Sequence, residues 1–415
     1  MAYGKYAVDY EQRIDYDRLR RERLEKAQKQ MEKDGIGAIM TFSADNIRYL
    51  TSYYVTTPLR QAEFQMVFCP RNGRPVLFGG GTPSEVERRM PWMQGRVFPS
   101  LPNAYVTAGS SDNPAVQRHV DIVAKLMEDH GLKNEPVGID GTALSMLYAE
   151  AFAKRGIKAV YAKQTMDNAR MVKTVDEIEI IKIAAANTEK AFAAIAEAIR
   201  PGIRECDLVG IGLKALYEEG VDHTEDFVCM SGYNTNPYNW SFTDKPIRPG
   251  DLIYVDVDGA AYQGYKTCVY RTFCCGKATQ KQKDLYAECL ALLQAGIDVL
   301  KPGKTNYDIV AAFPKTPEIW GWGPEDWGQV DPYCVAHGIG LGLHDKPLAT
   351  YSYVRSKQPE IELRPGMVLA IEAYAGKRGE KDGVRLEEMV LITEKGNEIL
   401  SRFPISELIE CWLPY

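Results

Sequence analysis

The chain has 415 residues, of which 45% are hydrophobic and 26% are charged, a balance typical of a protein with a large buried core and two domains. A formal net charge of −6 and the lack of a long Lys/Arg cluster argue against a nucleic-acid partner, whose phosphates need a basic surface. No run approaches the ~20 apolar residues of a membrane-spanning helix, and no membrane partner is expected. The N-terminus lacks the apolar stretch of a signal peptide, so we expect a cytoplasmic protein.

Residues 1–165 predict an α/β domain, because strand and helix patterns alternate along them. Residues 17–33 predict an amphipathic helix whose basic run, Arg18 to Arg23, is interleaved with glutamates and indicates a solvated face. The domain has no glycine-rich phosphate loop and no cluster of histidines or acids. We therefore expect it to support the second domain, 166–415, or to gate its substrate. Further predicted elements are strands at 36–42, 65–69, 76–78, 137–139 and 157–161 and helices at 116–130 and 144–155.

The second domain contains the same arrangement of motifs twice. A long helix begins at the capping box Thr174-Val-Asp-Glu177 and ends at Pro201-Gly202. A second long helix, 280–300, is followed by a matching Pro-Gly pair 101 residues after the first. A Pro-Gly turn that feeds an apolar strand at 247–259 likewise returns 116 residues later, at 363–375. The repetition predicts two related α/β halves that meet about a pseudo-twofold axis.

Each repeated strand carries an acid among apolar residues, and Asp256 and Glu372 occupy equivalent positions. A lone buried carboxylate is costly, so two of them at equivalent places suggest a cation between the strands. Further candidates lie nearby: Asp258, Glu387, Glu388, and a glycine-rich loop with His337 and His344. Carboxylates with imidazoles are typical ligands of a divalent metal. The alternative is that the acids form ion pairs with Arg271 and Arg385.

Five further motifs follow one another in the second domain: Gly250-Asp-Leu-Ile-Tyr-Val-Asp256, Gly264-Tyr265 through Arg271-Thr-Phe273, His337-Gly-Ile-Gly340, Pro365-Gly-Met-Val-Leu-Ala-Ile-Glu372 and Val384-Arg-Leu-Glu387. In this order they resemble the motifs of the pita-bread superfamily, which includes methionine aminopeptidase, prolidase, aminopeptidase P and creatinase. The resemblance covers essentially the whole chain. It implies a creatinase/prolidase-like N-terminal α/β domain, a C-terminal pita-bread domain and a homodimer.

The same resemblance implies roles for single residues. His337, Glu372, Glu387 and Asp256 match metal ligands, and His344 matches a histidine that contacts the substrate in the peptidases. The cofactor is then a divalent metal (Fe, Zn, Mn or Co), with one or two ions. The full set of metal candidates is Asp256, Asp258, Cys268, His337, Glu372 and Glu387.

Within the superfamily the chain most resembles the metal-dependent dimethylsulfoniopropionate lyases. It shares their Asp-x-Asp, here Asp256 and Asp258, and their Thr-Asn-Pro-aromatic segment ending at Tyr238. It departs from the family pattern in two ways. Cys268 stands where the family has its second aspartate ligand. The catalytic aspartate of the lyases has no clear match, and the nearest polar residue is His344. Cys268 is then either a soft metal ligand or a small buried residue beside the site.

These residues predict a metal-dependent lyase or hydrolase whose substrate is a small zwitterionic or cationic carboxylate. Its catalytic groups are His344, Asp258 and Glu372, and aromatic faces hold the cationic end by cation–π attraction. The alternatives are an Xaa-Pro aminopeptidase or dipeptidase, a creatinase-like metal-free C–N hydrolase, and a non-catalytic binding protein. Segment 318–328, which includes Trp327, is predicted to be a loop or lid. The aromatic residues predicted to bind substrate are Tyr238, Trp240, Tyr265, Trp320 and Trp322.

Overall fold

A computed structural model describes residues 14–55, 65–79, 81–101, 109–141, 143–315, 320–323 and 334–413. The chain divides into two compact units, Met1–Arg170 and Met171–Tyr415. Over the described ranges, no helix combines the length and the apolar character needed to cross a membrane.

The N-terminal unit is a six-stranded mixed sheet with helices, which confirms the predicted α/β class. The strand order is β4-β3-β2-β1-β5-β6; the β1–β2 and β2–β3 pairs are antiparallel and the others parallel. Its strands are β1 (Ala38–Thr41), β2 (Met66–Pro70), β3 (Val76–Gly79), β4 (Val97–Pro99), β5 (Val137–Asp140) and β6 (Ala159–Tyr161). Its helices are α1 (Tyr16–Lys33), α2 (Ala44–Thr51), α3 (Pro83–Arg89), α4 (Pro114–Asp129), α5 (Ala143–Lys154) and α6 (Lys163–Arg170).

The C-terminal unit contains two sheets, one of four strands in the order β15-β9-β8-β7 and one of five in the order β11-β10-β12-β13-β14. The strands are β7 (Val228–Ser231), β8 (Leu252–Asp256), β9 (Tyr270–Cys275), β10 (Cys334–Gly338), β11 (Asp345–Thr350), β12 (Val368–Gly376), β13 (Gly383–Thr393), β14 (Gly396–Ile399) and β15 (Ile409–Cys411). The helices are α7 (Val175–Ala198), α8 (Glu205–Glu218), α9 (Gln280–Val299), α10 (Asn306–Ala311) and α11 (Tyr351–Arg355).

The two halves of this unit repeat each other at the level of local structure. Helices α7 and α9 both begin at a threonine capping box, Thr174 with Glu177 and Thr279 with Gln282. The turns that precede β8 and β12 both contain a glycine with positive φ, +80° at Gly250 and +86° at Gly366, a conformation that other residues adopt only with strain. Equivalent turns therefore place Asp256 and Glu372 at equivalent points of the two sheets.

The two sheets are joined by hydrogen bonds between β9 and β13. The Thr272 hydroxyl donates to the Arg385 carbonyl at 2.7 Å and accepts from the Arg385 N–H at 3.1 Å. This junction is completely buried, and it brings the acid-bearing strands of both halves to one place.

Candidate metal centre

The centre is built on strands β10, β12 and β13 of the five-stranded sheet. Glu372 lies directly opposite Glu387, and His337 lies opposite Ala370, two residues before Glu372. Opposite residues of an antiparallel pair, and alternate residues of one strand, share a face of the sheet. His337, Glu372 and Glu387 therefore project from one face. All three are almost fully buried.

The four-stranded sheet supplies the other side of the centre. Ligand atoms of Asp256, Asp258 and Cys268 lie within 4.8 Å of one another, and so do those of Cys268, His337 and Glu387. The Cys268 thiol belongs to both groups, so it connects the acids of the first half with the histidine and glutamate of the second. The structure thus brings together all the sequence-predicted metal ligands except Glu372, which lines the same space from β12.

Several acids of the centre have no counter-charge of their own. Glu372 forms an ion pair with Arg385, but neither carboxylate oxygen of Glu387 makes a hydrogen bond of good geometry within the described structure. One carboxylate oxygen of Asp256 and one of Asp258 likewise make no such hydrogen bond in the described structure. Buried acceptors that lack donors are rare because they lose their hydration without compensation. Their grouping with an imidazole and a thiol fits a divalent metal ion.

The pKa values of the buried acids also favour a cation at this place. Burial, and then repulsion from Asp258 and Glu387, raises the pKa of Asp256 well above its usual range. Burial and the charge of Glu372 do the same to the pKa of Glu387. Burial raises the pKa of Asp258 to about 7, although the Cys268 thiol opposes that rise. Since like charges disfavour ionisation, a cation among these groups would stabilise their ionised forms.

The two histidines of the glycine-rich loop lie next to each other, with ring centroids 4.4 Å apart. The Gly338 carbonyl accepts a hydrogen bond from Nδ1 of His337 at 3.0 Å, which leaves Nε2 unprotonated, 4.0 Å from Oε1 of Glu387. Desolvation lowers the pKa of both His337 and His344 to about 4, so both are neutral at pH 7. His337 is buried, as expected of a residue that binds a metal, whereas the side chain of His344 is exposed and lines the cavity.

A cavity of about 390 Å³ opens onto these groups. Its size suits a dipeptide or another small molecule. Its lining residues are Glu225, Asp226, Val228, Tyr238, Trp240, Asp256, Asp258, Cys268, Tyr270, Cys334, His337, Leu343, His344, Glu372 and Arg385.

The predicted aromatic cage is only partly present, because Tyr238 and Trp240 line the cavity whereas Tyr265, Trp320 and Trp322 do not. Tyr265 is buried, and its hydroxyl donates to Glu177 at 2.9 Å. Trp320 is buried against Tyr374, with stacked rings at 5.5 Å, and Trp322 packs edge-on against Tyr238 at 6.3 Å. Tyr265 and Trp320 are buried and Trp322 packs against the hydrophobic core, so the part of these three residues in substrate binding stays a prediction.

The cation beside Tyr238 is the protein's own Arg385. Its guanidinium carbon lies 3.9 Å from the ring centroid of Tyr238 and 4.2 Å from that of Tyr270. Cation–π attraction therefore holds the arginine in place beside Glu372. Trp327, together with residues 318–319 and 324–328 of the predicted lid, lies outside the described residues.

The alternative that arginines neutralise the acids holds for two of them. Arg271 pairs with Glu388 at 2.9 Å on the opposite face of β13, and Arg385 pairs with Glu372, but Glu387 and Asp256 have no such partner among the described residues.

Among the cavity residues that were not predicted from the sequence, three carry ionisable side chains: Glu225, Asp226 and Cys334. Glu225 and Asp226 stand just before β7, and a polar run ahead of an apolar strand was the available signal. Cys334 was missed because no strand was predicted at 334–338, where the structure has β10.

Several known proteins resemble this chain in both sequence and fold. Residues 179–394 match the Metallopeptidase family M24, and residues 23–172 match the Creatinase/Prolidase N-terminal domain. An Xaa-Pro dipeptidase of Pyrococcus furiosus is 31% identical over 277 residues, 65% of this chain and 75% of that protein. The dimethylsulfoniopropionate lyase DddP of Roseovarius nubinhibens is 25% identical over 415 residues, 97% of this chain and 90% of that protein.

The structure resembles an Xaa-Pro dipeptidase of Bacillus anthracis with a TM-score of 0.73 and 23% identity, covering 94% of this chain and 99% of that one. The predicted pita-bread fold and its creatinase-like N-terminal domain are thereby confirmed. Since the first family match spans more than half of the sequence, the chain belongs to metallopeptidase family M24, a family of enzymes.

Proposed function

We propose that this protein is a metal-dependent dipeptidase that hydrolyses Xaa-Pro dipeptides. The observation that carries the proposal is the buried, uncompensated group of Glu387, Asp256 and Cys268 around His337, beside a cavity of dipeptide size. The main prediction from the sequence was a lyase or hydrolase of a small zwitterionic or cationic carboxylate, and an Xaa-Pro aminopeptidase or dipeptidase was one of the alternatives. The 31% identity to an Xaa-Pro dipeptidase now favours that alternative.

The residues that would hold the metal are Asp256, Asp258, Cys268, His337, Glu372 and Glu387. A divalent ion in such a site makes a water molecule more acidic and polarises a carbonyl oxygen. The thiol of Cys268 favours borderline metals such as Zn, Fe or Co over Mg or Ca.

The protein groups handle protons and orientation. We assign Glu372 to accept a proton from the attacking water, because Arg385 fixes its carboxylate at the wall of the cavity. Attack of the water oxygen on the Xaa carbonyl carbon breaks the C–N bond, and a proton passes to the proline nitrogen. His344 is neutral and exposed to the cavity, and we assign it to orient the substrate or to carry this proton.

A specific observation favours a second candidate, elimination from a small sulfonium acid. The lyase relative aligns with 97% of the chain, and Asp258, which completes the Asp-x-Asp of the sequence, lies in the donor group. In this reaction a base removes a proton next to the carboxylate, the C–S bond breaks, and a sulfide leaves.

The test is a substrate panel with the metal-loaded protein. Ala-Pro, Leu-Pro, Ala-Ala and dimethylsulfoniopropionate are incubated separately, and proline and dimethyl sulfide are measured by chromatography. We expect proline release that stops on chelation and in Glu387→Gln but persists in Glu394→Gln, a matched change at the exposed turn after β13. Release of dimethyl sulfide without proline would replace the dipeptidase proposal with the lyase, and the absence of both products would refute both.

A further inference from the structure

A second charged cavity, of about 250 Å³, lies in the N-terminal unit and has no part in the chemistry proposed above. Four arginines from three separate segments line it, Arg20 and Arg21 of α1, Arg74 before β3 and Arg96 before β4. Asp17 is the one acid among the lining residues. We propose that this cavity binds a phosphate dianion, either free or as the phosphate group of a small phosphomonoester.

Two of the guanidinium groups are held in place by a tryptophan. The indole N–H of Trp92 donates to the Thr51 carbonyl at 2.8 Å, which fixes the ring. The guanidinium of Arg20 lies over this ring, with its carbon 3.9 Å from the centroid, and Arg96 donates from Nη2 to the Trp92 carbonyl. Cation–π stacking and a hydrogen bond therefore orient both groups before any ligand arrives, which lowers the entropy lost on binding.

The lining of the cavity carries more positive than negative charge. Asp17 pairs with Arg20 at 2.7 Å, but Nε of Arg96 is buried and has no hydrogen-bond partner, and Arg74 forms no ion pair in the described part of the chain. The nearby Glu87 already accepts from the Gly95 N–H and the Gln94 side chain, each at 2.9 Å. The lining residues thus carry four positive charges and the one negative charge of Asp17, with Glu87 near Arg96 and Asp15 near Arg21 outside the lining. A buried N–H donor of Arg96 still lacks an acceptor.

This pattern fits a dianionic oxyanion better than other ligands. Planar guanidinium groups match the oxygens of phosphate through paired N–H donors, and they do so more strongly when charged. A single carboxylate would leave most of the positive charge uncompensated. Nucleic acid needs an extended basic surface, whereas these arginines surround a compact cavity in a chain of net charge −6. Leu50 and Met93 provide an apolar wall for a small organic group.

No sequence pattern indicates this cavity, because its arginines lie up to 76 positions apart and the run in α1 resembles an ordinary solvated face. Only the packing of α1 beside the segments that precede β3 and β4 brings them together.

Isothermal titration calorimetry with the full-length, metal-loaded protein tests the proposal. Inorganic phosphate, glycerol 3-phosphate and succinate are titrated at constant ionic strength in sodium chloride. The double variant Arg21→Gln/Arg74→Gln removes two exposed guanidinium groups, and we therefore expect it to keep the fold. Arg118→Gln removes an exposed arginine elsewhere in the unit and is the matched control.

We expect one saturable phosphate site per chain, with affinity lowered at least about tenfold in the double variant and unchanged in Arg118→Gln. Glu387→Gln removes phosphate bound at the metal centre, so binding that survives in this variant separates the N-terminal site from the catalytic one. Saturable binding of inorganic phosphate or of glycerol 3-phosphate supports the proposal. The compound that binds more tightly shows whether the ligand is free phosphate or a phosphomonoester. The proposal is overturned by binding no stronger than that of chloride, by tighter binding of succinate, by an undiminished affinity in the double variant, or by loss of all binding in Glu387→Gln.

Discussion

Replacing Glu387 by Gln should make the protein more stable when metal is absent. The same substitution should reduce the stabilisation that bound metal provides. The Glu387 carboxylate is fully buried on β13, faces Glu372 across the strand pair, and makes no hydrogen bond of good geometry in the described structure. Its raised pKa means that the folded state binds a proton more tightly than the unfolded chain does. Its ionisation therefore lowers the free energy of unfolding as the pH rises above its ordinary pKa of 4.5.

Gln keeps the shape of the side chain and removes this charge. At pH 7 without metal, we expect Glu387→Gln to be more stable than the wild type. With a metal at about 100 times its dissociation constant, the wild type gains about 2.7 kcal/mol, or roughly 5–10 °C in Tm for a unit of this size. If the variant binds about 100-fold more weakly, it gains only about 0.4 kcal/mol.

Differential scanning calorimetry with EDTA or with Co²⁺ measures these shifts. The control is Glu388→Gln, the next residue along the same strand, whose side chain accepts from Arg271 and Ser401 on the other face. Since it breaks a buried ion pair away from the centre, this variant should lower Tm by the same amount with and without metal. The reasoning is refuted if Glu387→Gln keeps the full Co²⁺ shift, or if it is less stable than the wild type in EDTA.

Three further predictions concern single side chains. Cys268→Asp should raise the bound metal from one ion per chain toward two, since it restores a carboxylate between the two donor groups; unchanged content by elemental analysis would mean that the thiol only fills space. His344→Gln should lower kcat by about 10²–10⁴ with metal content intact, and loss of metal would instead make it a ligand. Burial lowers the pKa of His119 to about 4, so the unfolded chain takes up a proton first, and stability should fall by up to ~3 kcal/mol from pH 6.5 to 4. His119→Gln should remove this part of the fall in urea titrations, and parallel curves for both proteins would contradict the assignment.

The sequence was informative where local rules decide the structure. Capping boxes at Thr174 and Thr279 and the Pro-Gly turns before β8 and β12 predict elements that the structure contains. The acids of the centre could be found because a carboxylate in an apolar strand needs a partner. The internal repeat then indicated that Asp256 and Glu372 occupy equivalent places.

Features that depend on packing between distant segments could not be predicted. Periodicity does not distinguish an aromatic ring in the core from one in a cavity, so the burial of Tyr265 and Trp320 could not be predicted. The position of Arg385 between Tyr238 and Tyr270 depends on the junction of the two sheets. That junction is a tertiary contact between β9 and β13 that no local pattern reveals.

The central claim is that the acids, the imidazole and the thiol form a metal centre, and anomalous diffraction tests it most directly. Crystals grown with Co²⁺ are measured on both sides of the cobalt absorption edge. We predict a peak within bonding distance of the carboxylates of Asp256 and Glu387 and of Nε2 of His337. A map without a peak in this cavity at saturating Co²⁺, or with the metal bound only elsewhere, would contradict it.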